Sequence, residues 1–196
     1  MFRKKYNYKE FYLNTNRLNM ARIYIDGNHN CPQGSKEYQD AESLGKKLAE
    51  LGFTIVSSAR IGVSEAIFKG AIAGNDNSIR IAIDCAEINL PRNKNYTKEI
   101  IADNYFDMKM RNCINSDAFI FLAGSFAVLS NLAIILQLKE LELMGGKPVI
   151  CVGEQLDELL NILSFYNEDL LEAVNKVIRV ENVDEAAKEL LNAFKK

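Results

Sequence analysis

The sequence predicts a single α/β domain built on a doubly wound parallel sheet. Short apolar, β-branched runs alternate with helix-period segments along most of the chain, which is the rhythm of βαβ units. The runs are apolar at consecutive positions, as strands buried on both faces are. At 196 residues the chain matches one domain able to bury a core without disulfide or metal staples.

The first expected strand is RIYID, residues 22–26. A helix follows over 35–51, where Tyr38, Ala41, Leu44, Leu48 and Leu51 recur at spacings of three and four, Ser35 caps the start and Gly52 closes the end. Next come a strand at 53–57 (FTIVS), a helix at 64–73 and a strand at 78–83 (SIRIAI). Residues 84–96 carry Pro91 and no periodicity, so they read as a long loop of the kind that is often functional. A helix is expected at 106–115, a strand at 118–122, and a helix from 128 to 144 stopped by Gly145 and Gly146. KPVICV, residues 147–152, is a further strand whose Pro148 suits a strand start. Helices at 155–164, 167–174 and 184–194, with a short edge strand at 177–180, complete the pattern.

The window 118–138 is uncharged and as long as a bilayer crossing. Strand, turn and helix explain it better, because Gly124 and Ser125 punctuate it. No membrane partner is therefore expected. The composition, 48% hydrophobic and 26% charged, excludes a disordered chain. With 24 Lys and Arg against 26 Asp and Glu, the net charge of −2 is too balanced for a dedicated nucleic-acid binder.

Only the start is basic: Arg3, Lys4, Lys5 and Lys9 alternate with Phe2, Tyr6 and Tyr8. Residues 1–20 read as a solvated N-terminal extension ahead of a domain at 21–196. Polar Asn14, Asn16, Arg17 and Asn19 interrupt any apolar signal region. The scattered Cys31, Cys85, Cys113 and Cys151 form no C-x-x-C pair, so reduced thiols in the cytoplasm, with no metal site and no cofactor, are expected.

Open parallel sheets bind ligands beyond the carboxyl ends of their strands, where helix N-termini favour anions. The loops to consider are 27–34, 58–63, 84–95 and 123–128. Asp26 ends the first strand and can bind a ribose or a base, with Gly27 beside it. His29, the only histidine, is available as an acid or base.

Three blocks carry a family resemblance: YQDAESLGKKLAELGFTIVSSARIGVSEAIFKGAIAGND, DMKMRNCINSDAFIFLAGSFAVLSN and GGKPVICV. In order and spacing, over residues 22–153, they resemble the Lonely Guy (lysine-decarboxylase-like) proteins of the SLOG superfamily. The resemblance implies a Rossmann-like fold, a homodimer, and kinship with phosphoribohydrolases that split nucleoside 5′-monophosphates.

The family's Met-x-x-Arg-Lys segment corresponds to Met108-Lys109-Met110-Arg111-Asn112, which retains Arg111. A guanidinium there can hold a phosphate or carboxylate bidentately. Its Pro-Gly-Gly-x-Gly-Thr-x-x-Glu signature cradles a 5′-phosphate and supplies a glutamate. Here it reads Ala123-Gly124-Ser125-Phe126-Ala127-Val128-Leu129-Ser130-Asn131. Gly124 survives, Ser125 and Ala127 replace glycines that would tolerate positive φ, Val128 replaces the threonine and Asn131 the glutamate. Glycosidic cleavage builds positive charge on the ribose that a carboxylate stabilises, and Asn131 carries none. The second glycine turn reads Ser57-Ser58-Ala59-Arg60-Ile61-Gly62. Arg60 is expected to point into solvent, the alternative being direct contact with a ligand. Glu65 is expected to be a first-turn acid of the following helix.

The expectation is a protein that binds a nucleotide-like small molecule without hydrolysing it, through Asp26, Gly27, Arg60, Gly62, Gly124, Ser125 and Val128. One alternative is an active hydrolase using Asp26, Glu65 or Asp84. Another is an interaction protein whose pocket is filled by Phe126 and Leu129. The homodimer contact is expected on the helix 128–143 or its neighbour, given Leu132, Ile134, Ile135, Leu136 and Leu138 on more than one face.

Overall fold

The computed structural model describes residues 21–166 and 168–195, so the basic N-terminal extension lies outside the described residues. Seven strands form one parallel sheet in the order β4-β3-β2-β1-β5-β6-β7. In chain order these are β1 (Arg22–Asp26), α1 (Lys36–Glu50), β2 (Thr54–Ser57), α2 (Val63–Gly74), β3 (Arg80–Cys85), β4 (Lys98–Ala102) and α3 (Tyr105–Ile114). They continue as β5 (Ala118–Phe121), α4 (Phe126–Glu140), β6 (Val149–Val152), α5 (Glu154–Tyr166), α6 (Glu168–Asn175), β7 (Ile178–Val180) and α7 (Val183–Lys195). This is the Rossmann-like doubly wound architecture.

The chain winds outward from β1 through β2, β3 and β4, then returns to place β5 on the other side of β1. Tyr24 pairs with Val56 of β2 and with Phe119 of β5. The strand order therefore reverses between β1 and β5, which opens a crevice above their carboxyl ends.

Alternation along each strand divides the core. Ile23, Ile25, Ile55 and Ala82 face α1, α2 and α7, with Leu44, Leu48, Ile67 and Phe68 packed on them. Tyr24, Val56, Ile83, Phe119 and Phe121 face the other layer, with Met108, Val128, Leu132 and Leu160. Each large apolar side chain fully buried this way contributes about 1.5–3 kcal/mol of transfer free energy. Helices α1 and α2 meet backbone to backbone, since a Cβ on Gly70 would fall on the Glu42 carbonyl.

One element was not expected and one boundary is corrected. The loop expected at 84–96 holds from residue 86 on, and after it a further strand, β4, pairs in parallel with β3, Ile83 against Ile100. It is an edge strand with largely exposed side chains, so it lacks the apolar run that marks the buried strands. Helix α4 starts at Phe126 because Ser125 caps it, and ends at Glu140, before the paired glycines. The window that imitates a membrane span is divided between β5 and α4. Among the described residues no helix is long and apolar enough to cross a membrane.

Candidate functional site

A cleft of about 700 Å³ lies over the carboxyl ends of β1, β5 and β6. Its walls come from the turns after those strands (Asn28, Gly124, Ser125, Gly153), from the first turns of α1 (Glu37, Asp40), and from Glu181 and Asn182 after β7. Three glycines let the turns meet. Gly62 has φ +76, and a Cβ there would come 2.5 Å from the Asn28 carbonyl oxygen. A Cβ on Gly124 would sit 3.0 Å from the Asn28 nitrogen, and one on Gly27 2.6 Å from Val63 Cγ1. Gly27 and Gly62 thus serve packing between turns, while Gly124 also lines the cleft.

Ser125 sits in extended backbone with φ −81, and its Oγ accepts from the Ala127 amide at 3.3 Å. The serine therefore causes no strain here, contrary to the expectation from the glycine-rich signature. Its consequence is chemical: one amide of the helix N-terminus is satisfied by the chain itself. Val128 is fully buried in the second core, and Leu129 packs against it. Phe126 is 88% exposed. Neither Phe126 nor Leu129 plugs the cleft.

Behind the Gly124 turn, on the α3 and α4 side of the sheet, lies a buried polar chain. Asn131 donates to Asp26 at 2.6 Å and to the Tyr24 hydroxyl at 3.1 Å. Its Oδ1 accepts from Lys109 Nζ at 2.7 Å, and the same ammonium donates to Ser130 Oγ at 2.6 Å and lies 4.9 Å from the Tyr105 ring centre. Asp26 also accepts from the Gly27 amide at 3.0 Å. Burial pushes the Asp26 carboxyl above the usual carboxylate range, opposed by the bonds from Asn131 and Gly27 and by the Lys109 charge. Burial, reinforced by Asp26, raises the Tyr24 hydroxyl well above its ordinary value.

Lys109 is the residue that sequence reasoning missed. The signal was available: Lys109 falls on the α3 face that also carries Met108, Asn112 and Cys113, all of them buried. Arg111 stands away from this chain, and its Nε donates to Asp107 one turn earlier at 2.7 Å. Arg60 does not point into solvent. It is 5% exposed and its guanidinium binds Asp84 at 2.5 Å, the Leu90 carbonyl at 2.6 Å and the Cys85 carbonyl at 3.3 Å. Arg92 adds a second cation 3.4 Å from Asp84, so that carboxylate is neutralised internally. The desolvation of Asp84 explains the correction, since a carboxylate this buried demands a paired cation.

Glu65 is a first-turn acid of α2, as expected, bonded by Gln33 at 3.1 Å and paired with Lys69 at 3.1 Å. His29 is half-buried in the loop after β1. All four cysteines are free and buried, and burial pushes Cys113 up to about 11 and Cys151 up to about 12. All four thiols belong to the packed core.

A parallel sheet with its crevice at the reversal of strand order defines a Rossmann-like α/β domain, with a cleft where sheets of this kind bind ligands. The chain belongs to the SLOG cluster4 family, whose model matches residues 22–187. The SLOG kinship implied by the motifs thus holds over nearly the whole domain. No curated protein matches the sequence. Among solved structures, the molybdenum cofactor carrier protein of Chlamydomonas reinhardtii superposes with a TM-score of 0.70 at 18% identity, covering 90% of this chain and 99% of that one. The molybdenum cofactor binding protein of Rippkaea orientalis gives 0.70 at 17% identity, with 93% and 100% covered. DNA processing protein A of Helicobacter pylori, described with a single-stranded DNA binding mode, gives 0.57 at 15% identity, with 90% and 82% covered. Identities this low establish a shared fold.

Proposed function

We propose that the chain binds a nucleotide-like small molecule in the cleft above β1, β5 and β6 and does not hydrolyse it. The observation that carries this reading is the hydrogen bonding of Asn131. At the position where the resembled hydrolases place a glutamate, Asn131 is consumed by Asp26 and Lys109 and offers neither charge nor a general base. The cleft is open and of ligand size. Two structural neighbours are described as carrying or binding the molybdenum cofactor, which supports small-molecule binding or carriage over catalysis.

Of the three acids named for a hydrolytic alternative, Asp84 and Glu65 are held by cations. Asp26, with its raised carboxyl at the reversal point, is the group that keeps that alternative testable. Four buried free thiols fit a reducing compartment such as the cytoplasm.

The dimer contact belongs on α3 in this reading. Phe106, Met110 and Ile114 recur at spacings of four and are 75%, 38% and 48% exposed, whereas Leu132, Ile135 and Leu136 of α4 are buried within the chain.

A thermal-shift panel of nucleotides and nucleosides tests the binding role. A ligand at about a hundred times its dissociation constant stabilises by about 2.7 kcal/mol. Loss of that shift in Gln155→Trp, an exposed position on the cleft wall, locates the site.

A further inference from the structure

We infer that the cleft selects an uncharged nucleoside over the corresponding 5′-monophosphate. This rests on the binding role proposed above and names the ligand class of the same site. Three carboxylates line the cleft, those of Glu37, Asp40 and Glu181. Among the described residues the lining holds one cation, Lys36, and Asp40 already engages it at 2.6 Å. A phosphate dianion entering here meets an excess of like charge. Low-dielectric walls focus a field of that sign and deplete anions from the cleft.

The helix ends around the cleft reinforce the selection. An anion is normally held by free N-terminal amides and the positive end of the helix dipole. The first turn of α1 contains Glu37, that of α5 contains Glu154 and Asp157, and that of α7 contains Asp184 and Glu185. These ends are compensated by the chain's own carboxylates. Helix α4 has no acid in its first turn, and its Ser125 cap occupies the Ala127 amide. What remains there suits the partial charge of a hydroxyl or carbonyl oxygen, such as a ribose hydroxyl or a base carbonyl. The carboxylates opposite suit donors, namely exocyclic amines and further ribose hydroxyls. Two unpaired carboxylates, at roughly 1 kcal/mol for each like-charge pair about 4 Å apart in water, amount at low ionic strength to roughly tenfold or more in affinity.

The test is calorimetric titration of the full-length chain, at low ionic strength, with adenosine, guanosine, cytidine and uridine and with their 5′-monophosphates. For the base bound most tightly, the nucleoside should bind about tenfold or more tighter than its monophosphate, and added salt should narrow the gap by screening. A monophosphate that binds as tightly as its nucleoside, or more tightly, overturns the inference and leaves the binding role intact. Failure of the whole panel to bind overturns both. Asp40→Asn, a partly exposed position, releases the Lys36 ammonium and should raise monophosphate affinity severalfold relative to that of the nucleoside. An unchanged ratio of the two affinities in that variant also overturns the inference.

Discussion

Asn131 of α4 donates its side-chain amide to Asp26 at 2.6 Å, at the end of the strand where the sheet reverses its order. The same side chain accepts from Lys109, so a neutral amide bridges a buried cation and a partly buried carboxylate. Asn131→Ala should therefore destabilise by about 2–3 kcal/mol, the cost of leaving both groups short of a partner, read as a shift in the urea midpoint. Asn131→Glu should not release base from purine 5′-monophosphates, because Lys109 would hold the new carboxylate and Asp26 would oppose it. Chromatographic detection of free base from that variant would contradict this.

Asp26 makes stability depend on pH in a direction that can be worked out. Burial holds its folded carboxyl above the ordinary value, so the folded state binds more protons than the unfolded one. That contribution is full at pH below the ordinary carboxylate range and is lost as pH rises through the raised folded value. Asp26→Asn removes it. The stability of the variant relative to the natural protein should improve as pH rises from the ordinary carboxylate range upward in urea titrations, and a pH-independent difference would contradict the account.

The ion pair between Arg60 and Asp84, 6% and 1% exposed at their side chains, ties the loop after β3 to the turn after β2. Around it, Asn93 donates to the Ala59 carbonyl and Ile61 to that of Pro91. Arg60→Ala should cost about 3–5 kcal/mol, as breaking a buried pair from one side does. Hydrogen exchange of the Ile61 and Asn93 amides should rise with it. The double change Arg60→Met with Asp84→Leu should recover much of the loss.

Phe106 and Met110 stand exposed on the same face of α3. Replacing both with glutamate should leave the melting temperature of the monomer nearly unchanged, since neither is core. Light scattering at micromolar concentration should change from a dimer-sized species for the natural chain to a monomer-sized one. A monomer in both cases would remove the dimer from this reading.

The fold was legible because buried parallel strands and amphipathic helices write themselves into apolar runs and periodicity. Strand β4 was not, because an edge strand beginning Lys98-Glu99 buries too little to show a pattern. At the site, the loss of the glutamate at Asn131 was visible from motif spacing, but the use of that asparagine was not. Tyr24, Asp26, Lys109 and Asn131 are up to 107 positions apart and meet only once the sheet has formed. Arg60 misled for a related reason: its partner Asp84 lies 24 residues on, and a charge in a turn looks solvated until its counter-ion is known.

Equilibrium dialysis of the protein against a mixed pool of nucleosides and nucleoside 5′-monophosphates, with chromatography of the retained molecules, tests the central claim most directly. The account predicts that one nucleoside-type molecule is retained in stoichiometric amount and recovered intact, with no free base. Accumulation of free base and ribose 5-phosphate, or retention of nothing, would contradict it.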